Sequence, residues 1–113
     1  MTLTLTDFLL ARIAEDEAAA GESLRATRRE AVSLRPTDGQ ATTSALSYME
    51  FIVRWPPARV LAECEAKRAV VGLHPEMLGW CQGCAHESYP CRTLLALALP
   101  YADHPDYDPS WAA

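Results

Sequence analysis

His74, Cys81, Cys84 and Cys91 follow one another in the pattern His-x6-Cys-x2-Cys-x6-Cys. A C-x2-C pair suits a single metal ion, because two intervening residues turn the chain and aim both sulfurs inward. Zinc in a structural role takes a closed tetrahedron of thiolate and imidazole donors, which three cysteines and one histidine would supply. Gly83 inside the pair offers the permissive backbone such a knuckle needs. Cys91 opens an apolar run that reads as a helix, so its thiolate would lie where the helix dipole favours negative charge.

The fourth ligand has three candidates. His74 follows a helical stretch and could tie that helix to the knuckle, which makes it the preferred donor. His86 is a tighter, more local choice, two positions after Cys84. Cys64 lies on an apolar stripe, where a buried free thiol is the plainer reading; as a fourth thiolate it would turn the set into an iron–sulfur site. A redox C-x-x-C should open a helix after a strand, and this pair lies in an irregular segment. The sequence holds no phosphate loop, Ser-His-Asp arrangement or H-E-x-x-H motif, and the deaminase pattern fails for want of its P-C-x-x-C half. Asp103, His104, Asp106 and Asp108 could be an oxygen-rich second site. A solvated acidic tail, with Tyr101, Tyr107 and Trp111 packed on the domain, explains them with less. Trp55 and Trp80 read as core or rim anchors.

The elements that must position these residues are mostly helical. Thr6 and Asp7 offer an N-cap and a first-turn acid, and Leu5, Phe8, Leu9, Ile13, Ala20 and Leu24 recur on one face. A first helix over 6–31 follows, weakened at Gly21, with Glu15, Asp16 and Glu17 on its wet side. Arg35 to Thr43 is a loop punctuated by Pro36 and Asp38-Gly39. Residues 44–54 are undecided between strand and helix. Trp55-Pro56-Pro57 ends them, and Pro57 suits the first turn of a second helix over 57–73. Its stripe is Val60, Leu61, Cys64, Arg68 and Val71, and Glu63 and Lys67 are spaced to pair. Gly72 and Pro75 stop it. The metal-binding knuckle spans 74–91, a third, apolar helix 91–99, and an irregular tail 100–113.

The whole chain of 113 residues suits one domain. With half its residues hydrophobic it can bury a core, and at this size a metal staple adds to a modest one. Ten basic against fifteen acidic residues give a net charge of −5, which argues against nucleic-acid binding through a general basic surface. The cluster Arg25, Arg28, Arg29 and Arg35 leaves a small DNA-associated regulator as an alternative. The N-terminus lacks a basic start followed by an apolar run, and Leu94 to Leu99 is too short to cross a bilayer. A cytoplasmic location is expected, where cysteines serve as ligands or thiols rather than as disulfides.

The stretches Pro57-Ala-Arg-Val-Leu-Ala-Glu-Cys-Glu-Ala-Lys-Arg and Leu97-Ala-Leu-Pro-Tyr-Ala-Asp-His-Pro-Asp-Tyr resemble a domain-of-unknown-function family of small proteins from actinobacteria and their phages. The likeness extends to an N-terminal acidic helix like Asp7 to Ala20 and leaves about Glu22 to Glu50 without a counterpart. It implies one site of His74, Cys81, Cys84 and Cys91, lends no support to His86, and gives Asp103, His104 and Tyr107 a part in the fold or in a partner's binding. It implies no activity.

The expectation is a mainly α, small three-helix domain with a zinc knuckle between the second and third helices. Its expected role is non-enzymatic binding of a protein partner, because three thiolates and an imidazole leave zinc no open position for catalysis.

Overall fold

The structure, a computed structural model, describes residues 3–30, 43–85 and 87–112. Four α-helices and one small sheet make up its regular part: α1 (Leu5–Glu30), α2 (Thr43–Arg54), α3 (Pro57–Gly72), β1 (Glu76–Met77), β2 (Trp80–Cys81), β3 (Glu87–Ser88) and α4 (Arg92–Ala98). The fold is the expected helical one with a Cys/His knuckle after the second of the expected helices, α3. The added helix α2 occupies the undecided span 44–54. Among the described residues no helix is long and apolar enough to cross a membrane.

α1 is capped two residues before the position the sequence suggests. Thr4, not Thr6, caps it, its hydroxyl accepting from the Asp7 N–H at 3.1 Å. Thr6 instead receives Tyr89: its N–H donates to the Tyr89 hydroxyl at 2.9 Å, and the two hydroxyls lie 2.8 Å apart. That contact joins the start of the chain to the end of the knuckle. Gly21 does not interrupt the helix, which continues through Glu30, because packing of its apolar face outweighs a local cost of ~1 kcal/mol.

Leu5, Phe8, Leu9 and Ile13, spaced at the helical period, are buried against Leu94 and Ala98 of α4 and Cys64 and Val71 of α3. The acids expected on a wet face are exposed or half-exposed and also have specific partners. Asp16 accepts from the Tyr101 hydroxyl at 2.9 Å, Glu17 pairs with Arg68 across α1 and α3 at 2.7 Å, and Glu15 pairs with Arg12 at 3.0 Å. Lys67 is drawn to the Tyr101 hydroxyl (3.1 Å), so the expected Glu63–Lys67 pair gives way to Glu63 with Arg59 (3.3 Å).

The tail is shaped into 3-10 turns, Leu99–Tyr101 and Pro109–Ala112. It folds back so that Tyr107 and Trp111 are buried. Phe8 becomes the hub of an aromatic cluster, its ring centre 6.3 Å from Tyr101, 5.6 Å from His104, 5.9 Å from Tyr107 and 5.2 Å from Trp111. All four rings meet it edge-on or tilted, the arrangement their quadrupoles favour. The Arg12 guanidinium lies against the His104 imidazole and 5.2 Å from the Phe8 ring centre.

The sheet lies between Glu76 and Ser88, where the sequence leads one to expect an irregular segment around the cysteine pair. Its order is β1-β2-β3, all antiparallel, with Glu76 opposite Cys81 and Cys81 opposite Glu87. Leu78 (φ 54°) and Gly79 (φ 84°) form the two-residue loop between β1 and β2. Two successive positive φ values are the mark of a type I′ turn, whose twist matches that of the flanking strands. The Glu76 carboxylate accepts the Gly79 N–H at 2.8 Å, and the Gly79 carbonyl accepts the Tyr89 N–H at 2.9 Å.

Candidate metal centre

Each of the four donors sits where an element ends. α3 stops at Gly72, and the His74 N–H closes its last turn on the Val71 carbonyl at 3.1 Å. This fixes the imidazole just past the helix. Cys81 ends β2, and a single 3-10 turn, Gln82–Cys84, brings Cys84 round to the same point. Cys91 is the N-cap residue of α4: its carbonyl accepts the Leu95 N–H at 3.0 Å, and its side chain makes no cap bond. The cap duty passes to Glu87, whose Oε1 accepts the Arg92 N–H at 3.0 Å and the Arg92 Nε–H at 3.2 Å. The sulfur of Cys91 is thereby left to face the knuckle.

The four ligand atoms lie within 4.8 Å of one another. His74 Nδ1 is 3.4 Å from Cys81 Sγ, 3.3 Å from Cys84 Sγ and 3.6 Å from Cys91 Sγ. A tetrahedral ion with metal–sulfur bonds of about 2.3 Å and a metal–nitrogen bond of about 2.05 Å would set nitrogen and sulfur about 3.6 Å apart. The cluster therefore has the donor types and the dimensions for one metal ion and is compatible with zinc. Cys81 and Cys91 are buried, and Cys84 and His74 are half-buried.

Proton chemistry in the cluster points the same way. Burial pushes the Cys84 thiol up, and the adjacent Cys81 and Cys91 sulfurs push it further, to about 12. At Cys81 burial also acts upward, but hydrogen bonds from His74, Cys91, Cys84 and the Gly83 backbone prevail and hold it at about 7. Sulfurs this close share one negative charge readily and resist a second, and a divalent cation removes that resistance.

Gly83 matters for a reason other than backbone freedom, since its φ is not positive. A Cβ there would overlap the Leu73 carbonyl oxygen and come within 3.0 Å of His74 Nδ1. The C-x2-C turn rides directly over the end of α3, and only a residue without a side chain permits that approach.

The other candidates fall elsewhere. Cys64 is buried on α3, with Asp16 and Lys67 near it and outside the four-residue cluster. Burial, with the Asp16 charge behind it, raises its thiol above the ordinary value. It behaves as a core thiol, and the four-cysteine set that an iron–sulfur site needs is not assembled. His86 lies outside the described residues, as do Arg35 and the side chains of Arg28 and Arg29. Arg25 is paired with Glu22 at 3.0 Å. The tail residues do not gather as a metal site: the Asp106 N–H donates to His104 Nδ1 at 3.0 Å, and Asp108 accepts the Ser110 N–H at 2.9 Å.

A family of unknown function, DUF6221, matches residues 2–113. The chain belongs to that family. No curated protein and no solved structure matches it. The DUF6221 match includes the central stretch as well as the two ends on which the sequence resemblance rests.

Two features of the site escape sequence reasoning. One is Glu87 as the cap of α4; a carboxylate five positions before the helix interior is visible as a residue but not as a partner. The other is the exposed apolar end of the hairpin. Leu78 is 90% exposed, and Leu73, Met77 and Trp80 are exposed around it.

Proposed function

We propose that this protein is a zinc-stabilised module that binds a protein partner through the apolar end of its metal knuckle. The carrying observation is the convergence of one imidazole nitrogen and three sulfurs from the ends of four elements, at separations of 3.3, 3.4 and 3.6 Å between nitrogen and sulfur. Soft thiolate donors in a tetrahedral set select zinc over magnesium or calcium. Four protein donors complete its coordination, so the ion would cross-link α3, the hairpin and the start of α4, with no position open for substrate.

What such a cross-link holds rigid is the hairpin. A leucine at φ 54° is disfavoured, since side chains other than those of Gly, Asn and Asp crowd the backbone there. Exposing it adds a further cost in water. Both costs are understandable where Leu78, with Met77 and Trp80 beside it, enters an apolar cleft of another protein. A pre-ordered knob loses little entropy on binding.

Elemental analysis of protein purified without chelator tests the reading. One zinc per chain is expected, falling below stoichiometry in Cys81→Ser and His74→Ala. Iron, or no metal at all, would overturn it. The partner half is tested by Leu78→Asn, which should retain zinc and fold while losing association with the binding protein.

A further inference from the structure

The four cysteines are not equally reachable. Cys64, Cys81 and Cys91 are buried, and Cys84 alone comes to the surface. A thiolate, not a thiol, is the nucleophile toward a peroxide, and coordination to a metal ion removes the thiol proton outright. With an ion bound, Cys84 is therefore a surface thiolate, whatever its affinity for a proton in the ion's absence.

A thiolate oxidised to sulfenic acid goes on to a disulfide when a second sulfur is in reach. Cys81 and Cys84 flank a single 3-10 turn. A four-residue turn keeps its end Cα atoms within about 7 Å of each other, and a disulfide spans about 4.4–6.8 Å. Closing that bond requires no movement of α3 or α4. The turn also has room on its outer side, where Cys81, Gln82 and Ala85 border an open hollow of about 380 Å³. Cys91 is the less suited partner, since it is wholly buried and its carbonyl is tied to the Leu95 N–H at the start of α4. Directly after Cys84, Ala85 is held at φ 33°, a conformation an alanine keeps only where its surroundings impose it. The chain beyond Cys84 thus has a reason to move once Cys84 is released.

We infer that Cys84 is an oxidation site for hydrogen peroxide, with Cys81 as its resolving partner, and that formation of the Cys81–Cys84 disulfide expels the ion. The Cys84 sulfur attacks one peroxide oxygen, the O–O bond breaks, and hydroxide leaves. The Cys81 thiolate then displaces a second hydroxide from the Cys84 sulfur. Two thiolates and one hydrogen peroxide become one disulfide and two hydroxide ions, the sulfurs losing the two electrons that the peroxide gains. His74 and Cys91 remain, half of the tetrahedron that holds zinc. The hairpin is then no longer tied to α3 and α4, so the Leu78 knob is rigid only under reducing conditions. The inference rests on the zinc reading above and adds its regulation.

Zinc-loaded full chain, treated with hydrogen peroxide in the presence of a zinc indicator dye, tests it. Alkylation in denaturant and cleavage after Glu76 and Glu87 leave Cys81 and Cys84 together in the fragment 77–87, apart from Cys64 and Cys91. The expected result is one zinc released per disulfide, the bond confined to that fragment, and Cys64 and Cys91 alkylated. The thermal midpoint should fall to that of chelated protein, and a dithiol reductant with added zinc should restore it. Cys64→Ser should behave as the parent. Zinc present beforehand but retained under peroxide, or a bond made to Cys91 or Cys64, would overturn this inference and leave the zinc reading standing. Protein that holds no zinc before treatment would overturn both.

Discussion

At the scale of single residues, Gly83 and Phe8 carry the sharpest expectations. Gly83→Ala forces a methyl group into the Leu73 carbonyl, so the C-x2-C turn must lift away from α3 and His74 must part from the sulfurs. Metal content should fall well below that of the parent protein, read by elemental analysis. Helix content should change little, because α1 and α3 meet elsewhere. Phe8→Ala removes the ring that four other aromatic groups face, and a loss of about 3–5 kcal/mol is expected by denaturant titration; under 1 kcal/mol would mean that the tail does not pack as described. These two residues differ in legibility. Phe8 declares itself by helical periodicity. The reason for Gly83 lies in a carbonyl ten positions earlier in the chain, which no local pattern reveals. The grouping of His74, Cys81, Cys84 and Cys91 is readable because ligand spacing is itself a local property.

Among the elements, the hairpin and α4 are tuned in opposite senses. Leu78→Asn places a residue at ease with positive φ into the type I′ turn and removes an exposed leucine. It should raise stability by about 1 kcal/mol, seen as a higher midpoint in thermal unfolding of metal-loaded protein. The start of α4 depends on a charge. The backbone N–H of Arg92, with its guanidinium as a lesser aid, lowers the Glu87 carboxyl below its ordinary value. A depressed carboxylate contributes stability that is fully present above the unfolded-state value and is lost as pH falls through the folded-state value. Unfolding midpoints followed from neutral pH down into the acid range should therefore decline at the acid end, and Glu87→Gln should flatten part of that decline. The same sequence that hid this hairpin also hid α2. Leucine is not a turn residue by preference, so Leu78-Gly79 lacked the Asn-Gly signal. The run Phe51-Ile52-Val53 looked as much like a strand as a helix. By contrast α1 and α3 were plain, with long periodic faces and, at Pro57, a proline suited to a first turn.

For the molecule as a whole, the knuckle and the tail close the structure from different sides. The ion would fix α3 to α4, and the tail wraps α1 with Tyr101, Tyr107 and Trp111. Chelation should therefore weaken the protein without abolishing the aromatic cluster. A loss of at least ~2 kcal/mol is expected, lowering the midpoint by about 8–16 °C for a domain of this size, and restored by adding zinc back. No change on chelation would mean that the four donors hold no structural ion.

The contact between Arg12 and His104 spans 92 positions, and the ring cluster on Phe8 spans more. A ribosome releases α1 long before it makes what covers α1. Phe8 and Leu9 must then wait in water, or on a chaperone, while α3 and the knuckle take shape. Closure of the core is a late event in the life of each new chain, and it falls to Trp111.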